Sequence, residues 1–516
     1  MLFNSLAFVF LFLPLTLVGY YVLIWLGFRK WIFLFLVLAS LTFYAVWNPP
    51  YVLLLLASVF GNYLFGLWIE RARAAGRSTG PVLALGVIAN LVVLGWFKYA
   101  NFFVDNVNAF GGSFHLERII LPLAISFYTF QQIAFLTDVA RNQVQTGGFW
   151  RYATFVIFFP QLIAGPIVHY KEMMPQFFGR NLGRFWTANL TIGLMIFGIG
   201  LFKKAVIADS AAVHATPIFN AAQSGAEIGL VDGWTAALTY TVQLYFDFSG
   251  YSDMAIGLAR MFGIRLPVNF HSPLRAASII DYWRRWHITL QQFIVSYMYQ
   301  PLVLPLSRLA ATWRLGKWTS FGLTVAVPTV VLFMAIGLWH GAAWTFVLFG
   351  LMHGTYLAIN EFWRVLRRKS RSKAPPDLGS RAFYHTITLV AVICTKVMFR
   401  AETPASAVAS WAGMASFDDL FSLAEIVPAT GADLVTGPAL ILIIGAALVF
   451  LFPNTQQIMG RYSPILGWSR WRNVATPVIQ LRWRPTLIWG LCSGIMLFLA
   501  LAFISRGQSE FIYFNF

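Results

Sequence analysis

The chain has 516 residues, of which 59% are hydrophobic, 17% aromatic and only 11% charged, and its mean hydropathy is +0.69. A soluble domain carries about 25% charged residues, so this composition excludes a soluble globular protein and indicates a membrane protein. The net charge of +18 does not indicate nucleic-acid binding, because the basic residues form short clusters between apolar runs, as in cytoplasmic loops of membrane proteins. Cys394 and Cys492 both lie in apolar segments, and no Cys/His spacing typical of a metal site occurs.

Long apolar runs alternate with short polar loops along the whole chain. Runs such as Ile441–Leu451 are continuous, whereas strands of a membrane barrel would alternate apolar and polar residues over about ten positions. The sequence therefore predicts an all-α, polytopic bundle of roughly 10–13 transmembrane or re-entrant helices. In chain order, we predict helices at residues 6–27, 31–47, 51–69, 81–97, 119–137, 382–399, 437–452 and 485–505.

The first apolar run carries no basic segment and no small-residue cleavage site, so we expect a retained helix and not a cleaved signal peptide. The helix predicted at 119–137 contains the polar stretch Ser126–Gln132, and we expect that helix inside the bundle. Residues 152–170 end in Ala164-Gly-Pro-Ile-Val-His169. Gly-Pro breaks a helix, and broken helices at membrane depth occur only where protein or water covers them, so this segment is predicted to be re-entrant.

The basic clusters predict the orientation of the C-terminal half. Basic residues precede and follow the apolar stretch 318–362, so both of its ends are expected in the cytoplasm. The stretch therefore crosses outward and returns, with its middle near the periplasmic side. By the same rule the loop 400–436 and the C-terminus face the periplasm, and residues 454–484 face the cytoplasm.

We expect one membrane-embedded domain over 1–516, in a multi-pass protein of the bacterial inner membrane, surrounded by membrane lipids. Within it we distinguish N-terminal helices at 1–115, a catalytic core at 116–365 and C-terminal helices at 380–516. Neither a soluble domain nor an internal repeat is apparent in the sequence.

The stretch around which the chain is organised is Gly337-Leu-Trp-His-Gly-Ala-Ala-Trp344. Hydrocarbon offers an imidazole no hydrogen-bond partner, so a histidine in an apolar segment marks a functional site by default and faces a protein interior or a wet cavity. Gly337 and Gly341 permit close approach of another backbone or a ligand. Trp339 is a flat, rigid side chain that can form the wall of a cavity. We therefore select His340 as the first candidate residue.

The second candidate group is Asp281-Tyr-Trp-Arg-Arg-Trp-His287. On a helix Asp281 and Arg285 are i,i+4 partners, and Arg284 precedes His287 by one turn. Two interpretations remain open. The segment is either an interfacial belt of tryptophan and arginine, or it supplies a second buried histidine, His287, with a guanidinium that binds an anionic group.

The third group lies in Gln243–Asp253, where Asp247, Ser249 and Asp253 occur in an aromatic, largely apolar segment. Carboxylates in such a segment are costly unless paired. We favour structural ion pairs over a direct catalytic role. The candidate partners are all arginines: Arg260, Arg265, Arg284 and Arg285.

The sequence contains no Gly-x-Ser-x-Gly elbow and no phosphate-binding glycine loop, which argues against a self-contained serine hydrolase and an ATP-driven pump. Two histidines in apolar surroundings, without a metal-binding pattern, favour a histidine general base. It would take the proton of a hydroxyl that attacks an acyl thioester.

Several long motifs occur in the order found in one family: Phe97-Lys-Tyr-Ala-Asn101, Ser126-Phe-Tyr-Thr-Phe130, Ala164-Gly-Pro-Ile167, Leu244–Leu258, Trp283-Arg-Arg-Trp-His-Ile288, Gly337-Leu-Trp-His-Gly341 and Phe511–Phe516. Across nearly its whole length the chain resembles the membrane-bound O-acyltransferases, in particular the bacterial branch of alginate O-acetyltransferases and D-alanyl transferases. The family's invariant histidine falls on His340 and its second histidine on His287. The helices after residue 380 are more similar to those of the alginate type.

This resemblance implies a helical bundle around a central tunnel, with His340 as the base and His287 completing the catalytic site. Asp247, Ser249, Asp253, Trp283, Arg284 and Trp339 are the candidate substrate-binding or tunnel-lining residues. No bound cofactor is expected. The resemblance further implies acetyl-CoA as the donor, a separate periplasmic acetyltransferase as partner, and a polysaccharide, alginate-like, as acceptor. The alternatives are transfer of D-alanine to a teichoic acid, and a non-enzymatic transporter of polysaccharide or lipid.

Overall fold

The computed structural model describes the whole chain except residues 180–181, 184–185, 368–376, 417–436, 506–510 and 513–516. The described residues form helices and connecting segments without a strand, which confirms the predicted all-α class. In chain order the helices are α1 Leu13–Trp25, α2 Ile32–Ala45, α3 Pro50–Ala74, α4 Gly80–Ala109, α5 Ile125–Ala140, α6 Phe149–Ile157, α7 Phe159–Leu162, α8 Tyr170–Phe177, α9 Trp186–Phe202, α10 Asp209–Gln223, α11 Leu230–Met261, α12 Ile279–Trp283, α13 Ile288–Ile294, α14 Gln300–Thr312, α15 Lys317–Phe321, α16 Val327–His340, α17 Trp344–Arg367, α18 Leu378–Arg400, α19 Pro404–Met414, α20 Pro438–Phe450, α21 Thr455–Ile458 and α22 Leu487–Ile504.

Seven helical stretches in the described part of the chain are long and apolar enough to cross a membrane. Several of them join helices through wider π-helical turns, such as Lys203–Ala208 between α9 and α10. The stretches are Phe8–Trp25, Pro50–Ala74, Gly80–Ala109, Trp186–Gln223, Lys317–His340, Leu378–Arg400 and Leu487–Ile504. The protein is therefore a multi-pass membrane protein.

The predicted interior position of α5 is confirmed. Its polar residues Ser126, Thr129, Gln131 and Gln132 are all buried, and Gln132 hydrogen-bonds both Ser58 and Tyr152. The helix begins later than predicted, at Ile125, because Ala124 adopts a left-handed backbone with φ of 65°. The residues before it therefore form a loop rather than a first helical turn.

The predicted break at Gly165-Pro166 is present, and the chain is also interrupted earlier, at Phe158. Helix α6 ends at Ile157, the four-residue α7 follows, and the chain then runs without helix to Tyr170. Residues 152–168 are all buried, so protein covers the non-helical backbone, as a break at membrane depth requires. The backbone N–H of Ile167 donates to Thr289 Oγ1 at 3.0 Å, which ties this segment to the element that follows His287.

Helices α16 and α17 form a closely packed hairpin, with His340 at the end of α16. A Cβ atom added at Gly337 would lie 2.0 Å from the carbonyl oxygen of Phe346, and one at Gly350 would lie 2.1 Å from that of Phe333. Only glycine allows the two backbones to approach this closely. Gly337, three residues before the histidine, and Gly350 are therefore required for packing of the hairpin.

The orientation predicted from the basic clusters can be tested by labelling. In a variant without Cys394 and Cys492, we expect an impermeant maleimide added outside the cell to label a cysteine at Ser416. A cysteine at Ser370, which lies outside the described residues, should stay unlabelled, because the surrounding arginines and lysines favour the cytoplasm. The reverse pattern would show that the orientation is wrong.

Candidate active site

His340 is the last residue of α16, and the chain leaves the helix at Gly341 in an extended conformation. Its imidazole is buried, with 4% of the residue exposed. Aromatic rings surround it: the centroids of Phe399 and Phe349 lie 5.4 and 6.1 Å from the imidazole centroid. The histidine selected from the sequence therefore lies inside the bundle and not at a lipid-facing surface.

Trp339 connects the two candidate histidines. The centroid of its ring lies 4.9 Å from that of His340 and 6.3 Å from that of His287. On the other side the indole stacks on Phe130, with 5.2 Å between centroids and 15° between planes. His287 is also buried, at 1% exposure. His287, at the start of α13, and His340, at the end of α16, thus lie close to the same tryptophan, although they are distant in sequence.

The backbone at His287 differs from the prediction. Helix α12 ends at Trp283, and His287 has a left-handed backbone with φ of 45° before α13 begins. The segment 281–287 is therefore not one helix, and Arg284 does not lie one helical turn before His287. Arg284 is exposed, so its predicted role in lining the site is corrected. The predicted pair between Asp281 and Arg285 is present, at 2.7 Å.

A hydrogen-bond network sets the tautomer of His287. Asn269 Nδ2 donates to Ser252 Oγ at 3.1 Å, and Asn269 Oδ1 accepts from Thr289 Oγ1 at 2.9 Å. The same Oδ1 lies 3.1 Å from His287 Nδ1. Because this oxygen is an acceptor, Nδ1 carries the proton and Nε2 is the basic nitrogen of the neutral ring.

His340 lines two cavities. The first has a volume of about 70 Å³ and is bounded by Trp47, Lys98, Leu121, Pro122, Leu123, Ala124, Ile125, Ser126, Phe127, Ile163, Trp339 and His340. The second is much narrower, at about 10 Å³, and is bounded by Leu244, Tyr282, Trp283, Trp286, His340, Phe349, His353, Lys396 and Phe399. The imidazole is common to the walls of both cavities.

Lys98 in the first cavity is a site residue that the sequence pattern did not reveal, because it was interpreted as the end of a helix. Helix α4 continues to Ala109, and Lys98 lies buried within it. Its ammonium donates to the backbone carbonyl of Trp339 and lies 3.4 Å from Ser126 Oγ. A cation is favourable at the C-terminus of a helix, where carbonyl groups lack helical partners. Lys98 therefore fixes the end of α16, from which His340 projects.

His353 belongs to the second cavity, although it lies more than three turns after His340 in the sequence. Its Nδ1 accepts a hydrogen bond from Trp283 Nε1 at 3.2 Å. Phe349 packs against both histidines, with its centroid 4.7 Å from that of His353 and 6.1 Å from that of His340. Trp283 and Trp339 thus lie on the cavities, where the sequence predicted them.

Asp247 and Asp253 form the ion pairs predicted for them, but not with arginines. Lys204 Nζ lies 2.7 Å from Asp247 Oδ1, and Lys203 Nζ lies 2.8 Å from Asp253 Oδ2. Asp253 also accepts from Thr455 and Gln456. Neither aspartate lines the two cavities beside His340, and neither does the buried Ser249. The three residues thus lie away from these two cavities, and their place on a tunnel stays a prediction.

Asp247 also binds the C-terminal motif. The backbone N–H of Ile512 donates to Asp247 Oδ2 at 3.1 Å. Phe511 stacks on Tyr251 with 4.4 Å between ring centroids. Residues 511–512 are thus attached to the middle of α11, and this contact gives a structural reason for the aromatic residue at 511.

The described residues form a helical membrane bundle in which the buried His340 lines two cavities. The chain belongs to the membrane-bound O-acyltransferase family, whose model matches residues 10–398, and it is an O-acyltransferase.

Three relatives illustrate the similarity. A peptidoglycan O-acetyltransferase of Helicobacter pylori is 41% identical over 80% of each chain. A probable alginate O-acetylase of Azotobacter vinelandii is 40% identical over 81% of this chain and 79% of its own. A probable alginate O-acetylase of Pseudomonas putida is 36% identical over the full length of both.

Proposed function

We propose that this protein takes the acetyl group of cytosolic acetyl-CoA and moves it across the bacterial inner membrane for O-acetylation of an exported or cell-wall polysaccharide. The observation that carries this proposal is the position of His340 in the wall shared by two cavities. The names of the similar O-acetylases support the acetyl group and the polysaccharide acceptor.

The proposed reaction needs one base. An acceptor hydroxyl in the first cavity gives its proton to His340 while its oxygen forms a bond to the acyl carbon. The carbon–sulfur bond then breaks, and the leaving thiolate takes the proton from His340. Lys98 holds the end of α16 through the Trp339 carbonyl, so the imidazole keeps its place between acceptor and donor. General-base catalysis of this kind contributes about 10²–10⁴-fold to the rate.

Charge favours delivery of the donor from the cytoplasmic side. The basic residues on the loops predicted to be cytoplasmic are exposed: Arg308, Arg314, Lys317, Arg461, Arg470, Arg472, Arg482 and Arg484. They can attract the phosphates of coenzyme A. Such attraction between exposed charges is screened over about 8–10 Å near physiological ionic strength, so the apparent KM for acetyl-CoA should rise with salt.

The charge of the loop predicted to face the periplasm favours transfer of the acetyl group through a second protein. The loop 400–436, most of which lies outside the described residues, contains one basic residue against five acidic ones: Glu402, Asp418, Asp419, Glu425 and Asp433. An acidic loop repels a polyanionic polysaccharide such as alginate. We therefore propose that the acetyl group passes first to a periplasmic acetyltransferase partner, which modifies the polymer.

The role of His287 can be separated from that of His340. His287→Ala is expected to lower the rate less than loss of His340, because His287 contacts the Trp339 ring and positions the site. Asn269→Ala should reproduce much of this loss, since Asn269 sets the tautomer of His287. Rates of acetyl transfer by the two variants would test this. Equal losses in His287→Ala and His340→Ala would indicate instead that both histidines transfer protons.

The experiment that tests the proposed function uses purified protein, labelled acetyl-CoA and candidate acceptors added one at a time. We expect consumption of acetyl-CoA, and acetylated polymer only when the periplasmic partner is present. Polymer acetylation without a second protein would contradict the relay. Use of D-alanyl carrier protein in place of acetyl-CoA would support the D-alanyl alternative, and no thioester consumption under any condition would support a transporter.

A further inference from the structure

The two lysines beside His340 differ in how their ammonium groups are satisfied. Lys98, in the first cavity, donates to the Trp339 carbonyl and lies near Ser126. Lys396, in the second cavity, has no hydrogen-bond acceptor among the described residues. The Lys98 ammonium thus has a structural role, whereas the described residues offer the Lys396 ammonium no hydrogen-bond acceptor that would give it one.

Lys396 lies deep in the protein, on α18. Only 2% of the residue is exposed, and its Nζ lies 5.1 Å from the centroid of the Trp286 ring. A cation–π contact of this kind supplies about 2 kcal/mol when desolvated, which is much less than the cost of burying an ammonium without an anion. A buried cation of this kind is retained against its cost where a ligand or a reaction uses it.

The surroundings of Lys396 define what that ligand can be. Lys396 and Phe399 are three residues apart on α18 and therefore project from one face, and Phe399 contacts the His340 ring at 5.4 Å. The cavity that Lys396 shares with His340 has a volume of about 10 Å³. This is close to the about 10–15 Å³ that one water molecule occupies, so the cavity accommodates a single oxygen atom and not a whole acyl group.

We propose that Lys396 is a catalytic residue that binds the carbonyl oxygen of the acyl thioester and stabilises the oxyanion formed during transfer. This inference rests on the proposed function. The acceptor hydroxyl attacks from the first cavity and gives its proton to His340, and the carbonyl oxygen, directed into the second cavity, becomes negative beside the ammonium. When the carbon–sulfur bond breaks, the carbonyl double bond re-forms and the thiolate takes the proton from His340. A positive group at this position acts mainly in the transition state.

The test is Lys396→Met, which keeps the length of the side chain and removes its charge. We expect kcat to fall about 10²–10³-fold, as for loss of one oxyanion-hole donor, while KM for acetyl-CoA changes little. The unfolding temperature in detergent should stay the same or rise, because an unpaired buried charge has been removed. Lys396→Arg, which keeps the charge, should recover part of kcat if the larger side chain is accommodated.

The measured kcat, KM and unfolding temperature distinguish a catalytic role of Lys396 from a substrate-binding or a structural role. Unchanged kcat in a folded Lys396→Met protein would overturn the proposal, and so would a rise in KM with kcat unchanged, which would indicate ground-state binding. A lower unfolding temperature together with lost activity would show that Lys396 is structural, and would also overturn it. Wild-type protein that consumes no acetyl-CoA would refute the proposed function itself, whatever the variant does.

Discussion

His340→Ala is expected to abolish acyl transfer while the protein still folds and inserts into the membrane. The side chain is the imidazole common to both cavities, and loss of a general base costs about 10²–10⁴-fold in rate. Folding should persist, because the hairpin of α16 and α17 packs through Gly337 and Gly350, which are unchanged. Transfer rate, membrane yield and elution volume in detergent would be measured together.

A matched control for this variant is His115→Ala. His115 is exposed in the loop before α5 and contacts neither cavity, so its loss should leave both rate and yield unchanged. A well-expressed His340→Ala protein that acetylates at nearly the wild-type rate would refute His340 as the base.

Asp247→Ala is expected to reduce folded yield far more than any substitution of an exposed charge. It would remove one of the two carboxylates, Asp247 and Asp209, that each lie 2.7 Å from the ammonium of Lys204, a residue whose side chain is 3% exposed. The backbone of Ile512 would also lose its acceptor on Asp247. Breaking a buried pair by removing one partner costs about 3–5 kcal/mol, and the remaining Asp209 places the expected loss near the lower end of that range.

Two further variants separate the effect of breaking a buried ion pair from the effect of removing a charge. Asp281→Ala breaks the half-exposed pair with Arg285, and a pair of this kind contributes about 0.3–0.5 kcal/mol, so its yield should be near normal. The double variant Asp247→Ala/Lys204→Met removes both buried charges and should recover part of the lost yield. Normal accumulation of Asp247→Ala with only turnover reduced would mean that Asp247 has a direct catalytic role.

Much of the fold follows from the sequence because the bilayer selects continuous apolar runs. The helices α1, α2 and α3, the pair around His340 and the three C-terminal helices lie close to their predicted positions. The non-helical backbone at Gly165-Pro166 was predictable because this dipeptide cannot continue a helix, whereas the earlier end of α6 at Ile157 was not.

The packing between residues 186 and 261 could not be predicted in this way. There α9 and α11 approach through small residues: a Cβ at Gly193 would lie 2.6 Å from the carbonyl oxygen of Gly257. The π-helical turn at Lys203–Ala208 carries the two adjacent lysines that pair with Asp247 and Asp253. The pattern of apolar residues does not reveal such a turn. The two lysines were therefore not recognised from the sequence as ion-pair partners of Asp247 and Asp253, and arginines were predicted instead.

In the candidate site, too, some residues could be predicted from the sequence and others could not. His340 and His287 could be found because a histidine is rare in an apolar segment. Lys98 and Lys396 could not, because a lysine near the end of an apolar run is typical of a helix terminus at the membrane surface. Only the three-dimensional arrangement shows that both are buried beside His340. The left-handed backbone of His287 was likewise hidden, since the local sequence favours a continuous helix.

We propose that the protein transfers an acetyl group between a donor and an acceptor on opposite sides of the membrane, with His340 as the general base. The most direct test uses sealed liposomes containing the protein, with labelled acetyl-CoA outside and the periplasmic partner and polysaccharide trapped inside. Wild-type protein should transfer label to the trapped acceptor, and His340→Ala should transfer none above background. Equal labelling by the two proteins, or no consumption of acetyl-CoA by the wild type, would contradict the claim.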